Sequence, residues 1–87
     1  MRDAATDLIA SLEVVGTALR NLRRRKRHRS QRRVARAAAM EASQISRYET
    51  GNQDPSISVV LRLLAVYGMD LVDLGEEVRR VAQRSQK

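Results

Sequence analysis

The chain of 87 residues carries seventeen Lys and Arg against ten Asp and Glu, a net charge of +7 at pH 7; this is one small domain whose charge suits a polyanionic partner. The absence of Cys excludes disulfides, thiolate metal ligands and Cys nucleophiles, and with His28 as the only His no metal site or cofactor is expected. There is no Phe or Trp, and only Tyr48 and Tyr67 carry rings, which argues against single-strand recognition by base stacking.

Apolar residues recur at helical spacing along the whole chain, with no sustained strand alternation, so the fold class is all-α with an aliphatic core. In the first segment Ala5, Leu8, Ile9, Leu12, Val15, Leu19 and Leu22 follow a three-and-four spacing. Gly16 interrupts it at a cost of up to about 1 kcal/mol relative to Ala, so residues 4–27 form either one long helix or two joined near Ser11 to Gly16. Between Glu13 and Glu41 there is no acidic residue, and Arg20 to Arg36 holds nine Arg and Lys26. A basic run placed mid-chain between apolar-periodic segments points to a binding face rather than a solvated tail.

Ser30 can N-cap a short helix over about 31–38, with Val34, Ala35 and Ala38 as its apolar positions. A second short helix over about 42–48 turns Ile45, Tyr48 and Glu49 to one side and Ser43 and Arg47 to another, and Gly51 stops it. The segment Gly51-Asn52-Gln53-Asp54-Pro55 consists of turn formers. Ser56 or Ser58 caps the next helix, which ends at Gly68, and Asp70 with Asp73 resembles a capping pair opening the last one. Leu71, Leu74, Val78 and Val81 make an apolar stripe along that last helix. Val34, Ala35, Ile45, Leu61 and Leu64 are read as core.

Two short helices joined by a tight turn form a helix-turn-helix, which lays its second helix in the DNA major groove. The string from Gln31 to Gly51, followed by Pro55-Ser56-Ile57 and the Leu-rich helix ending Tyr67-Gly68, resembles the phage-repressor and Cro type, an XRE-like helix-turn-helix family. The similarity covers about residues 15–74. It implies a compact five-helix, lambda-repressor-like domain, with 1–14 and 75–87 as helical N- and C-terminal extensions. Four departures stand out: Ala39 holds the turn position usually given to Gly, Glu41 the cap usually given to Ser or Thr, Arg29 a position usually apolar, and the link from Arg23 to Gln31 is one residue longer. Ala39 must then take positive φ or the turn must change, and Glu41 brings a carboxylate close to phosphate.

Carried over position by position, the resemblance directs Ala42, Ser43, Gln44 and Arg47 to base edges. It gives Gln31, Arg32, Ser46, Thr50 and Asn52 to phosphate, with the neighbouring basic Arg25, Arg27 and Arg29 adding to the same contact. Arg suits guanine, Ser several bases, and the Ala methyl thymine. The resemblance also pairs Glu49 with an Arg of the first helix, Arg23 or Arg24, and Arg23 is the one assigned. It implies a transcriptional regulator, a repressor, that reads double-stranded DNA as a homodimer. The spare apolar surfaces for pairing are Leu8, Ile9 and Leu12 at the start, or Leu74, Val78 and Val81 at the end.

An antitoxin-type module, which binds a toxin or another co-regulator and autoregulates its promoter, is the alternative. An Arg-rich RNA binder or a membrane-surface helix built on Arg20 to Arg36 is a third reading. An enzyme is not expected: no nucleophile has a base partner at a recognisable spacing and there is no phosphate-cradling Gly-rich loop. No apolar run approaches the roughly 18 residues of a membrane span, and Met1-Arg2-Asp3-Ala4 lacks the apolar core of a signal peptide. No membrane role is expected, and a prokaryotic or phage source would place the chain in the cytoplasm, at the nucleoid.

Overall fold

A computed structural model of the chain describes residues 4–25 and 30–85, with side chains over 12–25 and 30–84. The elements are five helices, α1 (Ala4–Arg25), α2 (Gln31–Ala38), α3 (Ala42–Glu49), α4 (Ile57–Tyr67) and α5 (Leu71–Ser85), and the described residues hold no strand. The first segment is one helix of 22 residues. The extension boundaries placed at 14/15 and 74/75 fall inside α1 and α5, both of which run through them unbroken.

Local chemistry accounts for most helix ends. Ser30 and Ser56 are extended N-caps whose hydroxyls accept from the amides of Arg33 (3.1 Å) and Val59 (3.2 Å). Asp70 and Asp73 exchange amide-to-carboxylate hydrogen bonds of 2.9 and 3.1 Å at the start of α5. Gly68 closes α4 in the left-handed conformation, φ 70°. Ala39 closes α2 in the same way with φ 57° and ψ 50°. An L-residue adopts that conformation at a cost of about 1–2 kcal/mol. The cap persists because Met40 N–H reaches Ala35 C=O at 2.9 Å and Arg62 of α4 donates to Ala38 C=O at 3.3 Å.

The core joins all five helices: Ala18, Leu19 and Leu22 of α1 meet Val34, Ala35 and Ala38 of α2, Ile45 and Tyr48 of α3, Val60, Leu63, Leu64 and Tyr67 of α4, and Leu74 and Val81 of α5. One α4 assignment is corrected. Leu61 is exposed, because the buried stripe of that helix runs Val60, Leu63, Leu64, Tyr67 and residue 61, one helical step on from Val60, falls outside it. Leu74 and Val81 are buried and Val78 is half-buried against the core, so the C-terminal stripe packs within the chain and is not a spare dimer surface. Leu12 is half-buried, and the side chains of Leu8 and Ile9 lie outside the described residues.

The packing of α1 on α5 carries a polar network as well. Glu77 is buried at 2% exposure, where it accepts from Asn21 Nδ2 at 2.9 Å and Arg80 at 2.8 Å and pairs with Arg25. Burial pushes the Glu77 carboxyl up, but the hydrogen bonds from Asn21 and Arg80 and the charges of Arg25 and Arg80 outweigh it and hold the group below its ordinary value.

Candidate nucleic-acid interface

Helix α3 has two unlike sides. Ile45, Tyr48 and Glu49 are buried, whereas Ser43 and Arg47, one turn apart, are both exposed, with Ala42, Gln44 and Ser46 partly covered beside them. The buried side fixes the helix to the scaffold, so the exposed side presents a rigid row of short and long polar groups.

Three contacts clamp the C-terminal end of α3 to α1. Gly16 sits so close that a Cβ there would lie 2.4 Å from the carbonyl oxygen of Tyr48 and 2.9 Å from that of Glu49. The glycine read as an interruption of α1 is therefore what lets the two backbones touch. Gly51, with φ 78°, packs tightly on Glu13, whose Cγ would be 3.0 Å from an added Cβ. Between these, Arg23 donates from Nε at 2.7 Å and from NH2 at 2.9 Å to the two carboxylate oxygens of Glu49, a bidentate pair with both side chains at 10% exposure or less. The hydrogen bond to Glu49 raises the Arg23 guanidinium above its ordinary value against the opposing pull of burial. It is Arg23, not its neighbour Arg24, that makes the pair.

Gln31, the first residue of α2, donates to the same Glu49 carboxylate at 3.0 Å. It lies in a cleft of about 490 Å³ lined by Arg20, Arg23, Arg24, Ser30, Gln31, Arg32, Glu49 and Thr50. Exposed guanidinium groups at the start of a helix, where unsatisfied amides also point outward, suit an anionic oxygen. Arg20 and Arg24 also line this cleft; the sequence offered Arg24 only as an alternative partner of Glu49 and Arg20 only as the start of the basic run, and their helical spacing, which puts them on the side of α1 next to Arg23, is the signal that joins them to it. Arg25 faces elsewhere, toward Glu77, so its charge serves the contact with α5. Arg27 and Arg29 lie outside the described residues.

Several of the other polar groups on and just after α3 have partners within the fold. Gln44 Oε1 accepts from the Glu41 amide at 3.1 Å, which caps the helix start in place of the usual Ser or Thr. Ser43 Oγ reaches Glu41 at 3.5 Å. The Thr50 hydroxyl donates to the carbonyls of Ser46 and Arg47 at 3.0 and 3.2 Å, and exposed Asn52 donates its backbone amide to Arg47 C=O at 3.0 Å. Arg47 donates from Nε to Gln53 Oε1 at 2.9 Å. Gln53, which the sequence showed only as a turn residue, thus orients the one long cation of the exposed row.

No helix of the described residues is long and apolar enough to cross a membrane. No curated protein and no solved structure matches the chain. The model of the family described as helix-turn-helix domain matches residues 14–78, from α1 into the middle of α5 and across the whole α2-turn-α3 unit. With α2, the tight Ala39 turn and the two-sided α3 in that order, the chain belongs to the helix-turn-helix DNA-binding family.

Proposed function

We propose that the protein is a sequence-specific regulator of transcription, a repressor of the phage-repressor and Cro (XRE-like) type, which binds double-stranded DNA in the cytoplasm as a homodimer with α3 in the major groove. The observation that carries this reading is the pair Ser43 and Arg47, exposed on one side of a helix whose other side is locked by Ile45, Tyr48 and the Arg23–Glu49 pair. A helix held this rigidly can discriminate base edges, since a misplaced guanidinium would satisfy any sequence.

In this reading Arg47, steadied by Gln53, takes guanine; Ser43, Gln44 and the Ala42 methyl meet neighbouring bases. Gln31 and Arg32, with Arg20 and Arg24 in the same cleft, Ser46, Thr50 and Asn52 hold the phosphates that fix register. Affinity then falls steeply with salt while selectivity does not, because counterion release governs the phosphate contacts and hydrogen-bond matching governs the bases. The test is fluorescence anisotropy on the preferred duplex and a scrambled one. Arg47→Ala should lose about 1–3 kcal/mol on the preferred duplex and little on the scrambled one, whereas Arg32→Ala should weaken both alike. Equal losses for Arg47→Ala on the two duplexes would remove α3 from base reading.

A further inference from the structure

We propose that Gln53 is a specificity-determining residue outside α3, and that with Arg47 it forms one row of hydrogen-bond donors reading two neighbouring base pairs: a guanine and, beside it, a keto base, guanine or thymine. The inference rests on the reading above and deepens it, since it names the sequence feature selected at the C-terminal end of α3.

The backbone places Gln53 where it stands. Gly51, with φ 78°, turns the chain back after α3, and the amides of Asn52 and Gln53 both donate to the carbonyl oxygen of Arg47, at 3.0 and 3.3 Å. Gln53 is thus rooted on the residue whose side chain it meets, and both residues are exposed. Arg47 Nε donates to Gln53 Oε1 at 2.9 Å, a second bond between the same two residues.

That second bond decides which chemistry faces outward. A guanidinium only donates, so the Gln53 amide must turn its oxygen to Arg47 and its nitrogen away. With Nε engaged, the edge of Arg47 left for a ligand is the fork of its two terminal nitrogens. Among the described residues, neither these nitrogens nor Gln53 Nε2 has a further partner. The outward row is therefore the guanidinium fork followed by the amide nitrogen, every member a donor.

Base edges in the major groove differ in what they offer such a row. Guanine presents two acceptors, O6 and N7, which match the fork. The fork then occupies both, so the amide must find its acceptor on the neighbouring pair. Guanine O6 and thymine O4 accept from it, whereas cytosine N4 and adenine N6 are donors that oppose it. A carboxylate in place of the amide would keep the bond to Arg47 and turn an acceptor outward, which favours cytosine or adenine instead. A phosphate oxygen is the other acceptor that DNA offers the amide, and it carries no sequence information, so the two sources separate by their dependence on sequence.

The test is selection of bound sequences from a random duplex library at about 150 mM salt, with the full chain as wild type, Arg47→Ala, Gln53→Ala and Gln53→Glu. Anisotropy titrations of the selected duplex and its single-base variants follow. Wild type should enrich a guanine next to a keto base. Gln53→Ala should lose a preference of about fivefold or more at the neighbouring pair and weaken the one at guanine. Gln53→Glu should keep the guanine and reverse its neighbour from keto to amino. All four proteins should melt within about 4 °C of one another, as exposed substitutions do. Gln53 variants that retain the wild-type preference at both positions, or that weaken every duplex alike as loss of a phosphate contact does, would overturn the proposal; a guanine lost in Arg47→Ala would then still leave α3 as the reader. A wild type that selects no sequence, or an Arg47→Ala variant with the wild-type motif, would remove the DNA reading itself and this proposal with it.

Discussion

Replacing Glu49 by Ala probes the clamp that holds the exposed row of α3 in place. The substitution removes the acceptor of three hydrogen bonds, two from Arg23 and one from Gln31. It leaves the Arg23 guanidinium, 9% exposed, without its carboxylate. Stranding one partner of a buried ion pair costs about 3–5 kcal/mol. A domain of this length has a total stability on the order of 4–13 kcal/mol, so the variant should lose at least about a quarter of it. With a urea m-value near 1 kcal/mol/M, the low end for small proteins, the midpoint followed by circular dichroism should fall by about 3 M or the chain should be unfolded without denaturant. The double replacement Arg23→Met with Glu49→Leu removes both charges and should recover to within about 1.5 kcal/mol of wild type in stability. A loss below about 1 kcal/mol for Glu49→Ala, the size of an exposed pair, would refute the view that this pair anchors α3.

Three further perturbations follow from individual contacts. Ala39→Gly relieves the left-handed backbone at the turn and should raise the melting temperature by about 4–8 °C, the equivalent of about 1 kcal/mol; an unchanged or lower value would mean that the turn carries no strain. Gly16→Ala, by contrast, drives a methyl into the carbonyl of Tyr48 and should destabilise by about 2 kcal/mol or more in the same urea experiment, although Ala is the better helix former. Because the Glu77 carboxyl lies below its ordinary value in the folded chain, its contribution is fully present above about pH 4.5 and is lost as pH falls through the folded value. Urea midpoints measured from pH 6 down to 2 should accordingly fall less for Glu77→Gln than for wild type, and parallel curves would contradict the network.

Much of this architecture was legible because local chemistry decided it. Ser30, Ser56, Gly68 and the Asp70–Asp73 pair mark helix ends through bonds made within a few residues, so their meaning survives without tertiary information. The resemblance left Ala39 with either positive φ or an altered turn, and the backbone takes the first, φ 57°. What escaped was long-range. Gly16 looked like a weak point because the carbonyl it accommodates belongs to Tyr48, far along the chain. Glu77 gave no sign of burial, since its partners Asn21 and Arg25 lie on α1. Leu61 differs from its buried neighbour Val60 by one step of 100°, a distinction that a run of consecutive apolar residues hides. Among the site residues, the exposed and buried sides of α3 followed from periodicity, whereas the Arg47–Gln53 bond depended on how the loop after Gly51 folds back.

The most direct test of base-specific reading is selection of bound sequences from a random duplex library at about 150 mM salt, where purely electrostatic binding is suppressed. A two-fold reader predicts enrichment of an inverted repeat with half-sites about one helical turn apart and a guanine whose preference disappears in Arg47→Ala. Failure to enrich any sequence, with binding that vanishes as salt rises, would contradict it.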